Sequence, residues 1–115
     1  MRLGGCATTA IDTAGRTQWD APNVWPPLVH MLVEGLQGVP GAEALADCLS
    51  HAWIRSNYIA WKKTGFMHEK YDALRPGQCG AGGEYDPQVG FGWSNGVALE
   101  LLVRPTREVT ATAAL

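Results

Sequence analysis

From Ala42 onward, Leu45, Cys48, Leu49, Ala52, Trp53, Ser56, Ile59 and Ala60 recur three and four residues apart for some four turns. Glu43 and Asp47 sit early in this run and Lys62 and Lys63 late, which suits the helix macrodipole. Gly65 is the expected stop. The pattern predicts a helix over residues 42–63, about 30 Å long, with Cys48 on its apolar face and buried. A shorter helix precedes it. Pro26-Pro27 opens it, because proline's missing N–H has no partner to lose in a first turn. Leu28, Met31, Leu32 and Leu36 follow at helical spacing, Gly35 weakens the run, and Gly38 with Pro40 ends it, giving 27–37. Two helices joined by a short Gly/Pro loop form an antiparallel αα-hairpin. Ser94 or Asn95 is expected to cap a third helix running to Val103, with Val97, Leu101 and Leu102 inward and Pro105 ending it. Phe66–Tyr71 reads as extended, with Met67, Glu69 and Tyr71 on one side. Trp53 and Trp61 read as packing residues on the long helix. The expected class is all-α, with a long loop over 64–93. Loops of that length in small domains are usually functional or disordered, and the aromatic content of this one favours function.

The chain has 115 residues, enough for one ordinary domain, and 46% are hydrophobic against 17% charged, a globular composition. The formal net charge is -2 and Lys62-Lys63 is the only basic pair, which argues against nucleic acid or an anionic membrane as partner. No apolar run is long enough to cross a bilayer as a helix, and Met1–Gly5 has no apolar leader. Cys6, Cys48 and Cys79 have no metal-ligand spacing, nor do His30, His51 and His68, so no metal is expected. Gly80-Ala81-Gly82-Gly83 lacks the Lys-Ser/Thr of a phosphate-binding loop.

Chemistry concentrates in two stretches outside the helical runs. One is Gln18-Trp19-Asp20-Ala21-Pro22-Asn23-Val24-Trp25-Pro26-Pro27. The other is Gly82-Gly83-Glu84-Tyr85 running on to Gly90-Phe91-Gly92-Trp93. Indole faces interleaved with carboxylates suit a sugar, whose axial C–H groups pack on aromatic rings and whose hydroxyls donate to acids. Trp19, Trp25 and Trp93 are the stacking candidates. Glu69, in His68-Glu69-Lys70-Tyr71-Asp72, suits a general acid or base, against the plainer reading of a solvated loop residue. Glu84 follows glycines that let the backbone approach a ligand, against the reading of an ordinary turn residue. As a pair they suggest glycoside cleavage by two carboxylates. Asp20, beside Trp19, fits an Asx-turn at least as well as catalysis.

These blocks resemble the trehalases, inverting hydrolases of α,α-trehalose. Gln18–Pro27 is similar to a family signature, and Glu69-Lys70-Tyr71-Asp72, Gly82-Gly83-Glu84-Tyr85 and Gln88–Val97 are similar to further family blocks in the same order. Cys79 and Ala81 interrupt what is usually a purer glycine run. The resemblance covers residues 4–102 and implies the C-terminal portion of an (α/α)6 barrel, with residues 1–103 as a partial catalytic domain and 104–115 as a disordered tail. It implies Glu69 as catalytic base, Glu84 as a substrate-contacting carboxylate and Trp19 as a sugar-contacting indole. Gln18, Asp20 and Trp93 join them as substrate-binding positions.

The implied substrate is trehalose, with no cofactor, no metal and no nucleic acid. The family's catalytic acid and its substrate-binding arginines are expected upstream of this segment, so the chain alone is expected to be inactive. The alternative is a sugar-binding or trehalase-pairing product without turnover. An extracellular or membrane-anchored location is what the family suggests.

Overall fold

A computed structural model describes residues 3–11 and 17–104. Its elements, in chain order, are β1 (Asn23–Val24), α1 (Pro26–Gln37), α2 (Glu43–Thr64), β2 (Tyr71–Asp72) and α3 (Gly92–Val103). The chain is mostly helical, as expected, but β1 and β2 add a short antiparallel ribbon with Asn23 opposite Asp72 and Val24 opposite Tyr71. Of the stretch expected to be a strand over 66–71, only Tyr71 lies in one, and 66–70 is irregular. The stretch is tied at two points, His68 bridging to Val89 and Tyr71 to Cys79. Arg104 is ion-paired at the end of α3, and residues 105–115, most of the expected tail, lie outside the described residues. Among the described residues no helix is long and apolar enough to cross a membrane.

Helix α1 starts where Pro26 and Pro27 allow and follows an extended Trp25. It packs along α2, and α3 lies against both. The side of α1 that meets the core carries Val29 and Val33, with Leu36 half-buried. Leu28, Met31 and Leu32, expected to face inward, are exposed. The reason is that α1 is apolar on both sides, and the side carrying Leu28 and Leu32 meets only the Cys6–Thr8 segment across an open concavity.

Helix α2 runs one residue from the expected limits at each end and stops at Gly65, whose φ of +77° is the left-handed conformation glycine adopts at low cost. Its buried face is Ala46, Leu49, Trp53, Ser56, Asn57 and Ala60. Leu45 and Cys48 fall outside that face and are exposed, so the expectation of a buried Cys48 is corrected. Trp61 is also exposed, leaning on Tyr58 rather than on another helix. The true face lies rotated toward Ala46 and Asn57, because α1 and the 68–73 segment meet α2 there.

Helix α3 begins at Gly92, earlier than the expected Ser94 or Asn95 cap, with Phe91 at its cap position. Ser94 instead lies buried in the first turn and donates its hydroxyl to the His68 carbonyl. Val97 and Ala98 are buried and Leu101 half-buried, while Leu102, expected inward, is exposed. His30 and Glu34 of α1, Glu100 of α3 and the Arg104 guanidinium form one ionic cluster across the two helices.

At the centre Trp53 of α2 meets Tyr71 of β2 edge to face, with ring centroids 6.2 Å apart. Tyr71 is fully buried, and its hydroxyl accepts the His68 N–H at 2.9 Å. The residues just before and after Glu69 are thereby fixed to the core.

Candidate active site

The stretch from Thr17 to Trp25 folds into a wall. Its turn is held by Asp20, whose carbonyl accepts the Asn23 N–H at 3.0 Å. The Asp20 carboxylate accepts the Thr9 hydroxyl at 3.3 Å and the Thr17 hydroxyl at 2.6 Å. The Ala21–Pro22 peptide bond is cis. The Gln18 carbonyl accepts both the Trp25 indole N–H, at 2.9 Å, and the Asn23 amide, at 3.0 Å. Trp25 is buried, and Trp19 stacks on it with centroids 4.0 Å apart and 16° between planes. Trp19 remains 46% exposed, so one indole is fixed in place yet open to a ligand. Trp93 meets Trp25 edge to face at 5.5 Å and also contacts Phe91.

Glu69 stands where the segment after α2 meets the loop after β2. It is 3% exposed, so the reading of a solvated loop carboxylate fails. Its Oε2 accepts the Gln88 N–H at 3.0 Å and its Oε1 the Tyr85 hydroxyl at 3.2 Å. Its backbone is pinned as well. The Glu69 N–H donates to the Gln88 carbonyl at 2.9 Å, and its own carbonyl accepts the Trp93 indole N–H at 3.0 Å. A buried carboxylate held at side chain and main chain alike is fixed in one orientation before any ligand arrives. Burial, the neighbouring Glu69 charge and the Glu69 hydrogen bond push the Tyr85 phenol up, while the Gln18 side chain beside it pulls the other way.

The loop that brings Tyr85 and Gln88 to Glu69 depends on glycine. Gly82 and Gly83 have φ of +80° and +95°. A Cβ on Gly83 would stand 2.5 Å from the Gln18 Cβ and 2.6 Å from its Oε1. That contact seats the Gln18 side chain against the loop, and its buried Oε1 has no hydrogen-bond partner among the described residues. Glu84 is exposed and lines, with Gly80–Pro87, a concavity of about 350 Å³.

Of the positions singled out in the sequence, Gln18, Trp19, Trp93 and Glu69 are linked through direct contacts with Trp25 and Tyr85, and Glu84 rides on the same loop as Tyr85. The Asp20 carboxylate is committed to Thr9 and Thr17. Residues that the sequence reading passed over are Asn23, Lys70, Tyr85 and Gln88. All four stand inside the quoted blocks, and a local signal was present only at Asn23, a polar residue between Pro22 and Val24.

A family model described as trehalase matches residues 1–105. The chain belongs to the trehalase family. It is similar to a probable trehalase of Oryza sativa subsp. japonica, 53% identical over 104 residues, which make up 89% of this chain and 18% of that protein. It is similar to the Apis mellifera trehalase, 48% identical over 113 residues covering 96% of this chain and 18% of that one. Identity to the Homo sapiens trehalase is 43% over 109 residues, 93% of this chain and 18% of the relative. The chain thus spans less than a fifth of the length of these trehalases. The wall and the Glu69 loop both fall within the matched residues.

Proposed function

We propose that this segment forms the base side of a trehalose-hydrolysing active site that works with inversion. The observation that carries the reading is Glu69, a buried carboxylate fixed by the Tyr85 hydroxyl and the Gln88 amide at the foot of an aromatic wall. In this reading Glu69 takes a proton from a water molecule as its oxygen attacks the anomeric carbon. The bond from that carbon to the bridging oxygen breaks, and an acid on the opposite face protonates the leaving glucose. That acid comes from outside these 115 residues, so the chain alone releases no glucose.

The other positions take binding roles. Trp19 offers its open face to a sugar ring, and Trp93 holds the Glu69 backbone while its ring extends the wall. Gln18 stands at the edge of the sugar site, its side chain seated against Gly83 and its carbonyl holding the Trp25 indole. Glu84 accepts hydroxyls at the concave loop. Asp20 acts by shaping the turn that presents Trp19. The three helices are the C-terminal portion of an (α/α)6 barrel, and apolar side chains left exposed among the described residues, such as Met31, Leu99 and Leu102, support that reading.

The test is a graft. Residues 4–104 replace the matching segment of the Apis mellifera trehalase, and glucose release from trehalose is followed. The graft is expected to remain active, and Glu69→Gln within it to lower kcat by about a hundredfold or more. An active Glu69→Gln graft would remove the base assignment. The purified chain by itself is expected to give no glucose above background.

A second reading, sugar binding without turnover, is favoured by Trp19, stacked on Trp25 and still open on one face, with Glu84 exposed on the neighbouring loop. Calorimetry of the chain with millimolar trehalose decides it. Absence of heat sinks the binding reading.

A further inference from the structure

Lys70 follows Glu69 directly, yet its side chain goes to different partners. It is 0% exposed, which is rare for a lysine. Its ammonium donates to the Ala81 carbonyl at 3.2 Å and to the Gly82 carbonyl at 2.9 Å. It also lies 5.3 Å from the centroid of the Trp25 ring, within cation–π reach. An ammonium has three protons and no acceptor, and two carbonyls and one ring account for all three. The stem is gripped too. A Cβ on Gly80 would stand 2.8 Å from the Lys70 Cγ and 2.5 Å from the Asn23 Oδ1. Asn23 completes the arrangement by donating to the Ala81 carbonyl at 2.9 Å and accepting the Ala81 N–H at 3.1 Å.

We propose that Lys70 is a positioning residue, whose buried ammonium pins the glycine run 81–82 onto the Trp25 wall and so sets where Glu84 and Tyr85 stand relative to Glu69. Without the pin, two positive-φ glycines leave the loop many backbone states, and the Tyr85 hydroxyl has no fixed path to Glu69. Burial lowers the Lys70 pKa while the Glu69 charge raises it, so the base beside it also steadies the pin. The catalytic consequence rests on the reading of Glu69 given above; the pin itself does not.

Two measurements on the full chain test it. First, the chain is acylated under native conditions and the three lysines are followed by mass spectrometry. Lys62 and Lys63, both exposed, serve as internal controls. Lys70 is expected to react at least about tenfold more slowly, in proportion to its open population, and an equal rate overturns the proposal. Second, amide exchange is compared between the natural chain and Lys70→Met. Protection of Ala81 and Gln88 is expected to fall while the α2 amides keep theirs. Unchanged protection at Ala81 and Gln88 overturns the pin, and loss throughout α2 overturns it in favour of a general structural role. In the Apis mellifera graft, Lys70→Met is expected to lower kcat/KM while the α2 amides keep their protection. If Glu69→Gln leaves that graft active, the base reading fails and the pin stands on the exchange result alone.

Discussion

At the scale of single residues, the site is a set of backbone demands met by glycine and a set of side chains held by more than one contact. Gly83→Ala imposes both a strained φ and a collision with Gln18. It is expected to cost about 1–3 kcal/mol, read as a drop in the melting midpoint, and to displace the Gln18 acceptor. Tyr85→Phe takes one donor from Glu69 and nothing from the core. In the graft it is expected to lower kcat on the order of tenfold, the size of one hydrogen bond to a charged group, with helix content unchanged by circular dichroism. Glu69, Trp19 and Glu84 were legible as candidates because carboxylates and indoles in loops stand out. Tyr85 and Lys70 were not. Nothing local distinguishes a tyrosine that reaches a carboxylate sixteen positions away, or a lysine that turns inward toward carbonyls brought over by a loop.

At the scale of elements, α2 is the frame. Trp53 is wholly buried in it against Tyr71, and Trp53→Ala is expected to cost about 3–5 kcal/mol, measured by denaturant titration. The segment from His68 to Tyr71 makes stability depend on pH. Burial holds His68 below its ordinary value of 6.5, favouring the neutral ring. The unfolded chain therefore takes up a proton near that value and the folded chain only at lower pH. Across that window the unfolded state binds more protons, so stability present above it is lost as pH falls through it. Comparing denaturant midpoints at about pH 7.5 and about pH 5 checks this, and His68→Gln is expected to flatten the slope. Tyr71, pushed up to about 12 mainly by burial, gives the opposite limb. Its stabilisation is lost as pH rises above the ordinary phenol value, and ultraviolet titration follows it. The ends of α1 and α2 were readable to within one residue, whereas α3 starts at Gly92, ahead of the expected Ser94 or Asn95 cap. Their buried faces were less so: α1 carries apolar residues on two sides, and which side is inward depends on a neighbour that periodicity does not name.

At the scale of the whole molecule, an apolar groove of about 430 Å³ lies between α2 and α3, lined by Ile54, Tyr58, Trp61, Met67, Leu99 and Leu102 among others. With Leu28, Met31 and Leu32 open on α1, the chain presents apolar surface on several sides. Sedimentation velocity is expected to show association that grows with concentration, and Leu99→Glu with Leu102→Lys to reduce it without loss of helix. A monomer at all concentrations would contradict this.

The β1–β2 ribbon has a consequence for how the molecule assembles. Asn23 pairs with Asp72 across both α1 and α2, so the pairing closes a long chain loop. Closure of that kind loses much entropy before any contact repays it, unless local structure has already shortened the path. Folding of the αα-hairpin does so, by turning that span back on itself. The order of events is then helices first and ribbon second, with the Trp wall and the Glu69 loop completed on the finished ribbon. Pulse-labelled amide exchange should therefore find α2 protected before Asp72, with the Trp wall and the Glu69 loop maturing after the helices.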